Sequence, residues 1–169
     1  KPDLLSRAKN RIVKGAKNTT ADADIECRRW FPIDFDPVRP AGISSTDEEH
    51  QAAHTKAKEV QQFLAERGWS EPVVADSGNG AHLLYPIDLP NDDESTMVIK
   101  SALEAFDFLF SNETVNVDKG VFNAARIWKL YGTMACKGDH TEERPHRLSQ
   151  ILDKPKELKV VSKEQLQAL

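Results

Sequence analysis

The sequence predicts an α+β fold, a mostly antiparallel sheet covered on one face by helices. Three observations lead there. Residues 72–76 and 82–85 are short apolar runs on either side of Gly78-Asn79-Gly80, the signature of a β-hairpin closed by an Asn-Gly turn. Residues 45–67 and 91–110 carry apolar side chains at helical spacing. Further strand-like runs are interspersed with these two helices.

Taken in order, residues 1–14 place Leu4, Leu5, Ala8, Ile12 and Val13 at helical spacing and end before Gly15. Residues 16–26 are polar and without a period, a long loop of the kind that often carries function. From Arg29 to Asp36 large apolar residues alternate with others up to Pro37, which predicts a strand. Ser45, followed three residues later by Glu48, reads as a capping box. The helix behind it should run to about Arg67, with Ala53, Ala57, Val60 and Leu64 inward and Gly68 as its stop. Residues 91–94 open a second helix carrying Met97, Ala102, Leu103, Phe106, Leu109 and Phe110. Strands are expected over 114–117, 126–133 and near 148–152, with a charged loop over 137–145. Ser162 and Gln165 cap a last short helix. The whole of 1–169 reads as one domain, and a chain that starts at Lys1 without a methionine is expected to be a fragment of a longer protein.

Composition narrows the function. Lys+Arg 23 against Asp+Glu 27 leaves a net charge of −4, which excludes a globally basic nucleic-acid binder, so any such contact must be a local patch. No apolar run approaches the roughly 18 residues of a membrane span, and no signal peptide is visible, so a cytoplasmic location is expected. Two cysteines, Cys27 and Cys136, exclude a disulfide-rich scaffold and a four-cysteine zinc ribbon and suit reduced thiols.

The chemistry concentrates in four places. Asp34 and Asp36 are two apart in a strand, so both carboxylates project to one face, and like charges so placed gain from a shared Mg²⁺ or Mn²⁺. The bland reading is two surface acids before a proline turn. The hairpin Ser77-Gly78-Asn79-Gly80-Ala81-His82 sets Ser77 and His82 across its mouth, and its N–H groups could form an anion-binding nest. A tight turn with an incidental Ser and His is the competing view. Asp118 at a strand end is either a turn residue or a third carboxylate for a two-metal site. Arg126, Lys129, Lys137, His146 and Arg147, interleaved with Trp128 and Tyr131, suit phosphate and base contacts, or a solvated edge strand. Arg126 and Lys129 share a site only if the strand is interrupted between them. Cys136, His140 and His146 offer three zinc ligands without a clear fourth. His50 and His54, four apart on the first long helix, lack the glutamate of a zinc-protease motif and are expected to face solvent.

In order, these pieces resemble the archaeo-eukaryotic primase superfamily, close to its primase-polymerase branch. Asp34-Phe35-Asp36 matches the family's acidic motif, Ser77 to His82 its serine–histidine phosphate motif with the serine set further back, and Val117-Asp118 its third acid. Arg126, Lys129 and Lys137 follow in the family's order of basic positions. The resemblance spans residues 34–137 and implies an RRM-like sheet with a small N-terminal α/β module, partly missing because only 33 residues precede Asp34. It implies template-directed nucleotidyl transfer, as a DNA primase or DNA polymerase, with two Mg²⁺ or Mn²⁺ ions held by Asp34, Asp36 and Asp118. Ser77, Asn79, Gly80, His82, Arg126, Lys129 and Lys137 would bind the nucleoside triphosphate, His82 serving phosphate and not metal. Partners implied are a DNA template and primer, with a linked helicase domain as in mobile-element relatives. The family's zinc-binding element has no clear counterpart. Three other readings differ in what they require. A D-x-D nucleotide-sugar transferase wants a longer nucleotide-binding α/β sheet. A rolling-circle nuclease wants a second histidine near His82. A non-catalytic RRM-like module wants aromatics where the central strand has aspartates.

Overall fold

The computed structural model describes residues 14–15 and 19–169. The helix expected over 1–14 and the N-terminal module fall outside the described residues, apart from Lys14, which lies in a turn. The loop before the first strand carries a short 3₁₀ turn, Asp22–Asp24. The elements then follow as β1 (Cys27–Pro37), α1 (Asp47–Ala65), β2 (Val73–Asp76), β3 (Ala81–Pro90), α2 (Asp93–Phe110), β4 (Val115–Val117), β5 (Met134–Ala135), β6 (Arg147–Leu148), β7 (Gln150–Asp153) and α3 (Lys163–Gln167). The main sheet has the order β4-β1-β3-β2-β7 and every pair is antiparallel. The first six elements give the βαββαβ succession, and their strands the order β4-β1-β3-β2, the split βαβ arrangement. The α+β class and the helix-covered antiparallel sheet are as the sequence predicts.

Alternation along β1 decides which side is core. Phe31, Ile33 and Phe35 are fully buried, while Trp30, Pro32, Asp34 and Asp36 between them are on the opposite face. Beneath the buried face lie Ala53, Ala57, Val60 and Leu64 of α1, with Ile99, Ala102, Leu103, Phe106 and Phe110 of α2. Leu83, Tyr85, Ile87 and Leu89 of β3 and Val115 and Val117 of β4 complete that layer. Trp69 wedges between Phe31 and Tyr85, with ring centroids 6.1 and 5.0 Å away. Met97 and Leu109 of α2 are exposed, outside the stripe. Among the described residues, no helix is long and apolar enough to cross a membrane. Cys27 and Cys136 are free thiols.

Proline inside an inner strand needs a reason, since it removes a ladder donor. Alternate residues of a strand turn their backbone groups to opposite edges. The Asp34 carbonyl accepts from Asp118 N–H at 2.9 Å, so Pro32, two residues back, also turns toward the β4 side, beyond the end of that short strand. On β3, Pro86 lies past the last β2 pair, Val73–Leu84, and its carbonyl accepts from Val161 N–H at 2.8 Å.

Three expectations need correction. The α1 cap is Thr46, one residue later than Ser45: Thr46 Oγ1 accepts from Glu49 N–H and Glu49 Oε2 accepts from Thr46 N–H. Ser45 is instead buried, its N–H given to Asn79 Oδ1 at 2.9 Å. Residues 126–133 form no strand. They cross the open face as irregular chain, with only the two-residue β5 pairing behind them, because no strand edge is presented to them there. The strand near 148–152 is two pieces, split at buried Ser149, which returns its N–H and Oγ–H to the Thr133 carbonyl while β6 and β7 join different sheets.

The β1–β3 register brings the Ser77–Gly80 turn onto Phe35, where a Cβ at Gly80 would collide with the Phe35 carbonyl oxygen. Gly80→Ala should therefore cost about 1–3 kcal/mol or more, read as a lower urea midpoint; an unchanged midpoint would contradict this register.

Candidate functional site

The open face of the sheet carries a cleft of about 420 Å³ lined by Asp34, Asp36, Ser77, Asn79, His82, Arg126, Trp128, Lys129 and Lys137, among others. Of the ten residues singled out from the sequence for catalysis and nucleotide binding, eight line it. Asp118 sits at its edge, tied to Asp34 through the 2.9 Å backbone bond. Gly80 supports it from behind as the backbone that packs on Phe35.

β1 and β3 place the central pair. Asp34 is directly opposite His82 in the ladder, and directly opposed residues share a face. The His82 ring is buried, with Nε2 3.2 Å from Asp34 Oδ1 and Nδ1 2.7 Å from the Tyr131 hydroxyl. Trp128 Nε1–H donates to the same hydroxyl at 3.0 Å and its ring lies 4.5 Å from the imidazole. A chain of contacts thus runs from Trp128 through Tyr131 and His82 to Asp34. Burial, against the Trp128 hydrogen bond, pushes the Tyr131 hydroxyl up to about 12, so it stays a neutral donor and acceptor. With both ring nitrogens engaged, His82 can reach a phosphate only by giving up one of these partners.

Asp36 is the strained acid. Burial and the neighbouring Asp34 raise its carboxyl above the ordinary value; Asp118 adds to this, and Arg39 and Lys137 oppose it. Arg39 NH1 stands 3.6 Å from Asp36 Oδ1, and its guanidinium is held by the Pro37 and Ile43 carbonyls at 3.1 Å each. Arg39 was not anticipated, although a cation three residues after an acid across a proline is a readable signal.

The segment 118–126 delivers the third acid and the first cation. Asp118 Oδ1 accepts from Gly120 N–H at 2.7 Å, Arg28 NH1 donates to the Phe122 carbonyl at 2.7 Å, and Asp22 Oδ1 accepts from Ala125 N–H at 2.7 Å. Arg126 emerges from these ties with NH2 3.6 Å from Asp118 Oδ2. Because the chain beyond it is irregular, Arg126 and Lys129 both reach the cleft, the interruption their joint use required.

Other expectations resolve differently. The hairpin is no open anion nest: Gly78 N–H goes to Asp76 Oδ1 at 2.6 Å, and Asn79 and Gly80 N–H go to Ser77 Oγ at 3.3 and 2.9 Å. His82 faces Ala75, not Ser77, because Ser77 pairs with Gly80 across the turn. Asn79 is buried and turned to Ser45. The expected basic cluster divides. Arg147 donates to the Ser45 carbonyl and pairs with Asp47 Oδ1 at 2.6 Å, and His146 Nε2 lies 2.9 Å from the Gly138 carbonyl. These two, with Arg144 paired to Glu49 through both nitrogens, fasten the 137–147 loop onto itself and the start of α1.

His50 and His54 do not face solvent. They are mostly buried and meet Asp76, with His50 Nε2 2.9 Å from Asp76 Oδ1. Among the described residues this is the one set of three metal-capable side chains whose ligand atoms all lie within 4.8 Å of one another, so a group able to hold a metal ion is present. Asp34, Asp36 and Asp118 are more widely spaced, as are Cys136, His140 and His146. Burial alone would raise the Asp76 carboxyl, but hydrogen bonds from His50, His54 and Gly78 hold it well below the ordinary carboxylate range.

A groove of about 310 Å³ shares Arg126 and Trp128 with the cleft and continues along β1 past Arg28, Arg29, Trp30 and Pro32. Trp30 is 42% exposed on this face. No protein-family model, curated protein or solved structure matches the chain.

The raised Asp36 carboxyl has a stability consequence. A folded pKa above the unfolded one penalises the fold once pH rises through that window, and the penalty vanishes below the ordinary carboxylate value. Asp36→Asn should thus stabilise the metal-free chain at pH 7, and by less at pH 4. Screening at this half-exposed carboxylate limits the gain to about 0.2–1 kcal/mol, measurable by urea unfolding at the two pH values.

Proposed function

We propose that the chain is a metal-dependent nucleotidyltransferase of the primase-polymerase kind, extending a primer on a DNA template with nucleoside triphosphates. The observation that supports this reading is the placement of Asp34 and Asp36 in a cleft ringed by Arg126, Lys129 and Lys137, with Asp118 at its edge beside Arg126.

The donor set suits hard divalent cations. Three carboxylates supply oxygen only, which fits Mg²⁺ or Mn²⁺, and the Asp36 carboxyl, raised first by burial and then by Asp34, is one whose charged form a cation would stabilise. Asp34, Asp36 and Asp118 would hold two such ions. When bound, they would lower the pKa of the attacking 3′-hydroxyl and stabilise charge on the α-phosphate and the departing pyrophosphate. The remaining work falls to the chain itself. Arg126, Lys129 and Lys137 would grip the triphosphate with charge-assisted bonds that strengthen as charge develops. The Trp128–Tyr131–His82 contacts fix the orientation of Asp34, and Arg39 that of Asp36, so neither carboxylate must be ordered during reaction. Ser77 at the turn lines the same cleft. Arg29, Trp30 and Arg126 along the adjoining groove combine cations with an exposed aromatic, the surface chemistry that tracks a single strand.

That groove also favours a second reading, a non-catalytic nucleic-acid-binding module. The two separate cleanly. On a primed template with Mn²⁺ and nucleoside triphosphates, the wild-type chain should extend the primer, while Asp34→Ala and Asp36→Ala should each lose at least about 10²-fold in rate with an unchanged circular dichroism spectrum. Equal extension by either variant would remove the enzymatic assignment. Strand binding that persists in both with no extension by wild type would leave the binding module.

A further inference from the structure

We propose that His50, His54 and Asp76 form a binding site for a transition metal of the zinc class, which fastens α1 to β2 behind the Ser77–Gly80 turn. The site lies on the helix-covered side of the sheet and is separate from the aspartate cleft. Asp76 pairs with Ala81 in the ladder, and Ala81 pairs with Phe35, so all three point to the helices, whereas Ala75 and His82 point to the cleft. His50 and His54 are one helical turn apart on α1 and therefore project from one face of it.

The spacing of the ligand atoms fits. His50 Nε2 is 3.2 Å from His54 Nε2 and 2.9 Å from Asp76 Oδ1, and His54 Nε2 is 3.7 Å from Asp76 Oδ2. Zinc bonds of about 2.0–2.2 Å put tetrahedral ligand atoms about 3.3–3.6 Å apart, and the three separations, two of them to different Asp76 oxygens, lie within about 0.4 Å of that range. Hydrogen bonding alone serves the group poorly. His50 Nε2 carries at most one proton, and a ring nitrogen that donates it to Asp76 has no lone pair left for a proton from His54. Either one contact goes without a proper donor or one proton is shared between two acceptors. A divalent cation at the centre engages both imidazole lone pairs and the carboxylate at once.

The surroundings suit retention. The three side chains are 10–17% exposed, so an ion held between them would be largely shielded. Gly78 N–H donates to Asp76 Oδ1 and orients the carboxylate, the outer contact that tunes a metal ligand. Two imidazoles with one carboxylate favour Zn²⁺ or Co²⁺ over Mg²⁺.

Co²⁺ titration of the chain, followed by visible absorption, tests this. Tetrahedral Co²⁺ absorbs strongly, whereas an all-oxygen octahedral ion in the cleft absorbs weakly and does not mask it. The expected result is one equivalent of tetrahedral Co²⁺, displaced by Zn²⁺, with affinity lowered at least about tenfold in both His50→Ala and His54→Ala and unchanged in His140→Ala. Zn²⁺ alone at about 100 times its Kd should raise the Tm of wild type by about 5–10 °C and that of His54→Ala far less. The proposal is overturned if no tetrahedral spectrum develops, if it survives in His54→Ala, or if it is lost in His140→Ala.

Discussion

The side alternation of β1 is the constraint on which the rest depends. Phe31, Ile33 and Phe35 are each fully buried in the core on the helix side, and a strand cannot bury these three without turning Asp34 and Asp36 to the other side. A slip of one residue against β3 would exchange the two sets, placing carboxylates in the core and phenyl rings in water. The apolar residues therefore set the register, and the register delivers the acids. The same pairing sets His82 opposite Asp34 and Asn116, the neighbour of Val117, opposite Asp36, so the third acid follows two residues later at the same end of the sheet.

The walls of the cleft are held by contacts remote in sequence. The Ser77–Gly80 turn satisfies its N–H groups internally, through Asp76 and Ser77, and gains its position from Asn79 reaching Ser45. It is a rigid wall with one hydroxyl, whose backbone donors are already committed. Opposite it, residues 126–131 have no ladder and are held by side chains: Trp128 and Tyr131 on His82, Arg126 beside Asp118, and the Leu130 carbonyl accepting from Thr133 and Ser149.

Legibility in the sequence follows the range of the interactions. The inward residues of α1 and the strand β1 could be read because period and burial are local properties. The sequence leaves the cap ambiguous by one residue, because Ser45 and Thr46 can both cap and Glu48 and Glu49 can both answer; only the Asn79 contact, 34 residues away, distinguishes them. Residues 126–133 have strand-like composition, with Ile127, Trp128, Leu130 and Tyr131, yet composition carries no information about whether an open sheet edge waits to receive them. The inward turn of His50 and His54 was hidden for a related reason. Their partner Asp76 comes 26 residues after His50 and belongs to a strand whose facing is fixed by its neighbours. The aspartate pair was legible because both members lie within one strand.

The two candidate metal-binding clusters differ in chemistry in a way that bears on how they could coexist. The three open-face carboxylates offer oxygen donors only, beside Arg39, Arg126 and Lys137, a combination that would suit hard cations and anionic phosphates together. The helix side offers two imidazoles and one carboxylate with no cationic partner among their hydrogen bonds. Affinity of nitrogen-containing sites rises steeply from Mn²⁺ to the later transition metals. A zinc-class ion would therefore partition to His50, His54 and Asp76 and leave the open-face aspartates to the abundant, weakly held cations that nucleotides bring with them. Were both proposals to hold, donor type would sort the ions across a single sheet, since Asp76 faces the helices and His82 and Asp34 the cleft.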